Sequence, residues 1–197
     1  RSRLPQLHSL GRLSLQHQKT IFLAAAERVP VLQLCWSSPK NGDAIPESAF
    51  WAAVSEAAAE ARTRGRSGLA CEELRLTMKG DGKKQQATAD VASLHGVLPA
   101  LRRLLLRASA RNAAAILRRF VAIAGSSLEE VALHLYPHYM EADGEVAVYH
   151  WEECWEDELW QGVLGAVDVI GQASGTLRRL SAVELHAGYR ESSVAGG

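Results

Sequence analysis

The chain has 197 residues, 47% apolar and 22% charged, ordinary values for a folded globular protein and too apolar for wholesale disorder. No apolar run reaches the roughly 18 to 20 residues that span a bilayer, no secretory leader is readable, and a net charge of zero argues against a general nucleic-acid binder. The balance is nevertheless lopsided: residues 1–119 hold 19 Lys and Arg against 9 Asp and Glu, residues 120–197 hold 3 against 13, and neither Lys nor Arg occurs between Arg119 and Arg178.

In chain order, the first apolar pattern is "LHSLGRLSL", with Leu7, Leu10, Leu13 and Leu15. Its spacing is three, three, then two. A helix wants three and four, and a strand wants two and two. A turn that feeds a short strand satisfies both halves, with the last two apolar residues pointing the same way. Residues 18–28 then read as a helix. "AERVPVLQL" repeats the pattern with Ala26, Val29, Leu32 and Leu34. A helix over 46–62 follows, with Pro46 suited to a first-turn position and Phe50, Val54, Ala57, Ala58 and Ala61 on one face.

"GLACEELRL" supplies Cys71, Leu74 and Leu76. The loop "MKGDGKKQQA" is basic but lacks the glycine and lysine spacing of a phosphate loop. A helix over 88–98 is expected from Thr88 as N-cap and from Val91, Leu94 and Leu98. "LPALRRLLL" gives Leu98, Leu101, Leu104 and Leu106. Residues 112–125 read as a helix capped by Asn112, striped by Ile116, Phe120 and Ile123, and stopped by Gly125. "GSSLEEVALHL" gives Leu128, Val131 and Leu133.

An acidic, aromatic insertion occupies 136–160. Its Asp143–Gly144 pair predicts a turn, and the alternation that follows predicts a strand over 146–151. A helix over 157–175 and a last match, "LRRLSAVEL" with Leu177, Leu180, Val183 and Leu185, complete the chain. Strand and helix thus alternate throughout, which implies parallel strands with helices packed on them.

The six matches resemble leucine-rich repeats of the helix-containing kind, as in ribonuclease-inhibitor-like and F-box-associated arrays. The resemblance covers most of the chain. It implies an α/β solenoid of alternating short parallel strands and helices, in which each unit buries its core against the next. Residues 1–197 are then one repeat-array domain, without an initiator Met and so read as a fragment of a longer protein, with an insertion at 136–160.

If the last two apolar positions face inward, their strand neighbours form rows on the open face of the sheet. The first row is Arg12, Val31, Glu73, Arg103, Glu130 and Ala182. The second is Ser14, Gln33, Arg75, Leu105, Ala132 and Glu184. The third is Gln16, Cys35, Thr77, Arg107, His134 and His186. Glu73, Arg103 and Glu130 would alternate in sign. Arg75 and Arg107 would flank an apolar spot of Leu105 and Ala132, and His134 and His186 would be neighbours. An arginine-rimmed apolar spot suits protein recognition. Tyr149 and Trp151 of the insertion offer a second contact, since long aromatic loops often carry recognition.

No metal site is expected: His134 and His138 are separated by Pro137, and His150 with Glu152 on one strand face does not complete a ligand set. Cys35, Cys71 and Cys154 are far apart, so reduced, buried thiols in a cytoplasmic or nuclear setting are expected. These residues point to a monomeric protein-interaction scaffold, not an enzyme, without cofactor, nucleic-acid or membrane partner, using Arg75, Arg103, Leu105, Arg107, Glu130, His134, Glu184 and His186. The resemblance further implies substrate recognition for a ubiquitin ligase. The alternative is a small non-repeat α/β enzyme with a site at the strand ends or beneath the insertion.

Overall fold

The computed structural model describes residues 8–26, 28–35, 44–79, 94–124, 127–136, 151–173 and 179–185. In chain order the elements are β1 (Ser9–Ser14), α1 (Lys19–Ala26), β2 (Val31–Cys35), β3 (Ile45–Pro46), α2 (Glu47–Thr63), β4 (Glu73–Lys79), β5 (Arg103–Ser109), α3 (Ala110–Ala124), β6 (Glu130–Tyr136), α4 (Trp151–Gln172) and β7 (Arg179–Leu185). All paired strands are parallel, and their order in the sheet is the order of the chain, β1-β2-β4-β5-β6-β7. The two-residue β3 pairs with the far end of β4, at Met78 and Lys79, beyond the reach of β2.

Connections between parallel strands are nearly always right-handed, and when they all advance in one direction they put the helices on one face of the sheet. The burial pattern agrees. Leu32, Leu74, Leu104 and Val131 form one buried row, and Leu34, Leu76, Leu106 and Leu133 form the next. Helices α2 and α3 meet over these rows through Phe50, Trp51 and Phe120, whose ring centroids lie 4.7–5.5 Å apart. Glu47 is buried beside them. It accepts a hydrogen bond from the Trp51 indole at 3.1 Å and pairs with the Arg119 guanidinium of α3. A buried carboxylate needs such partners to offset its lost hydration.

Local signals explain the helix ends. Pro46 stands at the N-cap of α2 with φ −57°, the value its ring imposes. At the other end Gly65 adopts φ +74°. The Arg66 amide donates to the Ala61 carbonyl and the Gly65 amide to the Arg62 carbonyl, closing a Schellman turn that only glycine enters cheaply. Helices α3 and α4 approach closely because Gly162 faces Ala110; a Cβ there would lie 2.7 Å from the Ala110 carbonyl oxygen.

The strand entries are tied by a recurring hydrogen-bond relay. The Pro30 carbonyl accepts from the amides of Glu72 and Glu73. The Glu72 carbonyl accepts from Arg102 and Arg103, and the Arg102 carbonyl from Glu129 and Glu130. His8 begins the series with a single donor, Val31, because Pro30 has no N–H. The equivalent positions are therefore 8, 30, 72, 102 and 129, spaced by 22, 42, 30 and 27 residues.

Several expectations need correction. The described residues form a layered α/β fold on a parallel sheet, not the expected solenoid, and the helices run to 8, 17, 15 and 22 residues. Of the helix expected over 88–98, the described part from Leu94 onward is turn, with Gly96 at φ +71°. The expected cap Asn112 lies inside α3, which starts at Ala110 directly after β5; its amide nitrogen donates to Ser109 Oγ at 3.1 Å. Helix α4 begins at Trp151, so Trp151 and Glu152 are helical; residues 146–150 of the strand expected over 146–151 lie outside the described residues.

Both outer strands also shift register. In β1, Leu10 and Leu13, not Leu13 and Leu15, stand opposite Leu32 and Leu34. The irregularity lies between them, at Gly11 and Arg12, where Arg12 takes φ 43°. Ser9 therefore stands opposite Val31 in place of Arg12, and Ser14 opposite Cys35. In β7, Leu180, Val183 and Leu185 align with Val131, Leu133 and Leu135, with the shift between Val131 and Ala132. Bulges of this kind favour sheet edges, where only one neighbour constrains the strand.

Candidate protein-interaction face

On β2, β4, β5 and β6 the residues between the buried rows point away from the helices, and β7 continues the rows by register. The row nearest the strand entries runs Val31, Glu73, Arg103, Glu130 and Arg179. The next runs Gln33, Arg75, Leu105, Ala132 and Ala182, and the third Thr77, Arg107, His134 and Glu184. Adjacent members are about 4.8 Å apart across a sheet, so each row is a set of touching neighbours.

The expected charge ladder forms. Arg103 reaches Glu130 Oε2 from Nε at 3.4 Å and Glu73 Oε2 from Nη1 at 3.7 Å. Glu73 is shared: Arg75 Nε donates to its Oε1 at 2.6 Å. The Glu73 side chain is 12% exposed, and that of Arg103 is 61% exposed. The carboxylate thus sits low between two arginines, which lie over the sheet with their outer surfaces in solvent. Such exposed pairs contribute little stability, at most about 1 kcal/mol. Their larger effect is to hold two guanidinium groups in place.

Leu105 lies in the middle row between Arg75 and Ala132. It is half-buried, and Ala132 is close to fully buried. The middle row therefore provides an apolar floor, with charged rows on either side of it. This brings Arg75, Arg103, Leu105, Arg107, Glu130 and His134 onto one continuous surface. Glu184 joins them in register opposite His134. That is the position expected for His186, so the predicted His134–His186 pairing is replaced by His134–Glu184. The cause is that the three-residue step from Leu180 to Val183, expected in the turn, lies inside β7 across its irregularity, so Leu180 and not Val183 stands opposite Val131. Arg179 stands in register opposite Glu130, where Ala182 is expected. His186 and Tyr149 lie outside the described residues, and Trp151 belongs to the first turn of α4.

Among the described residues no group of three or more His, Cys, Asp or Glu could hold a metal ion. Burial pushes the Cys71 thiol up to about 12, against backbone hydrogen bonds that act the other way, so it stays protonated and is a poor nucleophile. Cys71 lines an apolar cavity of about 10 Å³ with Phe22, Leu32, Phe50 and Leu98. That is room for one water at most. Strand order does not reverse among the described strands, so they form no crevice at a switch point of the sheet. No helix among the described residues is long and apolar enough to cross a membrane.

No protein-family model matches this chain, and no curated protein or solved structure is similar enough to it to count as a match.

Proposed function

We propose that this chain is a protein-interaction scaffold built from unequal leucine-rich-repeat-like units, and that a protein partner docks on the open strand face around Leu105. The relay of strand-entry carbonyls carries this reading. It makes residues 8, 30, 72, 102 and 129 structurally equivalent, and it uses the same 42, 30 and 27 residue steps as the leucine pattern. Units of that kind contact only their neighbours and leave a strand face free of helices for recognition.

The face suits a protein partner for a further reason. Glu73 and Glu130 hold Arg75 and Arg103 in place before any partner arrives, which lowers the ordering cost of binding. Arginines around an apolar floor are common at binding hot spots. Cys35 and Cys71 are buried free thiols, which fits a cytoplasmic or nuclear setting. Substrate selection for a ubiquitin ligase is the role that such a face has in the F-box-associated arrays the sequence resembles.

Leu105→Asp tests the proposal. The new carboxylate would sit beside Arg75, so the fold should tolerate it. Partners recovered by quantitative affinity purification should fall at least about tenfold, a change of about 1.4 kcal/mol, with thermal unfolding unchanged. Equal recovery at equal stability would show that binding occurs elsewhere.

A further inference from the structure

Helix α4 has two apolar flanks, and only one of them is occupied among the described residues. Gly162 and Gly165 face Ala110 and Ala114 of α3, and Ala166 and Val169 are buried against the core. On the other flank Trp160, Leu164 and Val167 are 56%, 58% and 46% exposed. Three of the four large exposed apolar side chains among the described residues therefore lie on this one stripe.

The arc from Ala166 through Ile170 and Val167 to Leu164 spans roughly 160° at about 100° per residue, wider than one packed neighbour needs. The spacing i, i+4, i+7 runs the stripe along the helix for roughly 10 Å. The sheet below ends at β7, which has no further strand partner among the described residues. Among the described residues the helix layer thus stops at an apolar edge where one more helix would fit.

Charge selects the occupant. Asp157 and Asp168 are exposed along the outer margin of the stripe. Helix α4 holds Glu152, Glu153, Glu156, Asp157, Glu158 and Asp168 with no Lys or Arg. A second copy packed α4 to α4 would set acid against acid, and an anionic lipid surface would meet the same repulsion. We infer that the Trp160–Leu164–Val167 flank of α4 docks an amphipathic helix of a partner protein, apolar on one face and carrying Lys or Arg at its margins. This surface is separate from the strand face around Leu105.

The test uses two synthetic peptides of about 18 residues, long enough for five helical turns. One has Leu on one face and Lys at the margins; its twin has Glu at the margins. Fluorescence anisotropy should show the Lys peptide binding at least about tenfold tighter than the Glu twin. Leu164→Asp should weaken the Lys peptide by about tenfold or more although it adds a negative charge, with thermal unfolding unchanged. Equal binding of both peptides, or unchanged affinity of Leu164→Asp, would overturn the proposal. So would a dimer in light scattering that Leu164→Asp converts to monomer, which would assign the flank to a second copy. Stronger peptide binding after removal of residues 186–197 would assign it to the chain's own terminus, and would overturn the proposal equally.

Discussion

The two faces of β5 come from alternate residues of one seven-residue strand. Leu104, Leu106 and Ala108 are fully buried under the helices, while Arg103, Leu105 and Arg107 line the other side. One side is shaped by packing and the other by charge and access. Neighbouring positions therefore differ sharply in what they can tolerate. Stability resides on one parity of the strand, and residues on the other can change without loss of the fold.

The strongest way to break this comparison is truncation at adjacent positions. Leu104→Ala opens a cavity in the core and should cost about 2–5 kcal/mol. Leu105→Ala, one residue on, should cost less than about 1 kcal/mol. Urea unfolding of both variants measures the contrast, and similar losses would mean that both faces are packed.

A charged group on the covered side should matter more than charged groups on the open side. Glu47→Ala leaves the Trp51 indole and the Arg119 guanidinium without their shared acceptor, at roughly 1–3 kcal/mol. Arg103→Ala removes two exposed pairs and should cost only about 0.2–1 kcal/mol, shrinking further in high salt.

The smallest effect at neutral pH concerns Cys71. Its thiol is raised from 9.0 to about 12 in the folded chain, chiefly by burial. Below about pH 9 both states keep the proton, so the group leaves stability independent of pH. Between about pH 9 and about 12 the unfolded chain releases the proton first, and stability falls as pH rises. Cys71→Ala should flatten that alkaline decline in denaturation curves taken across the range.

Much of the centre of the sheet is readable in the sequence. Leu32, Leu74, Leu104 and Val131 pair as their spacing predicts, because a strand flanked on both sides must keep its apolar residues in step. The Glu73–Arg103–Glu130 ladder follows directly from that register. The outer strands are different. With one neighbour each among the described residues, β1 and β7 absorb extra residues near Arg12 and beyond Leu180. Leucine spacing alone does not reveal such a bulge, so Arg179 and Glu184 stand where Ala182 and His186 are expected.

The helix starts fail for a local reason. Asn112 is a good capping residue, but β5 runs straight into α3 and Ser109 precedes the first turn. Of the strand expected over 146–151, residues 146–150 lie outside the described residues, and Trp151 opens a helix of 22 residues. The stripe at Trp160, Leu164 and Val167 has a signal in the sequence: the helix is apolar over more of its circumference than one neighbour can cover.

Site-specific photo-crosslinking tests the proposed strand-face function most directly. A benzophenone side chain is placed at position 105 on the open face, and in a second variant at Ala122, an exposed position of α3 on the helical side. Partner protein should crosslink from position 105 and not from position 122. Crosslinks from position 122 alone, or equally from both, would contradict docking on the open strand face.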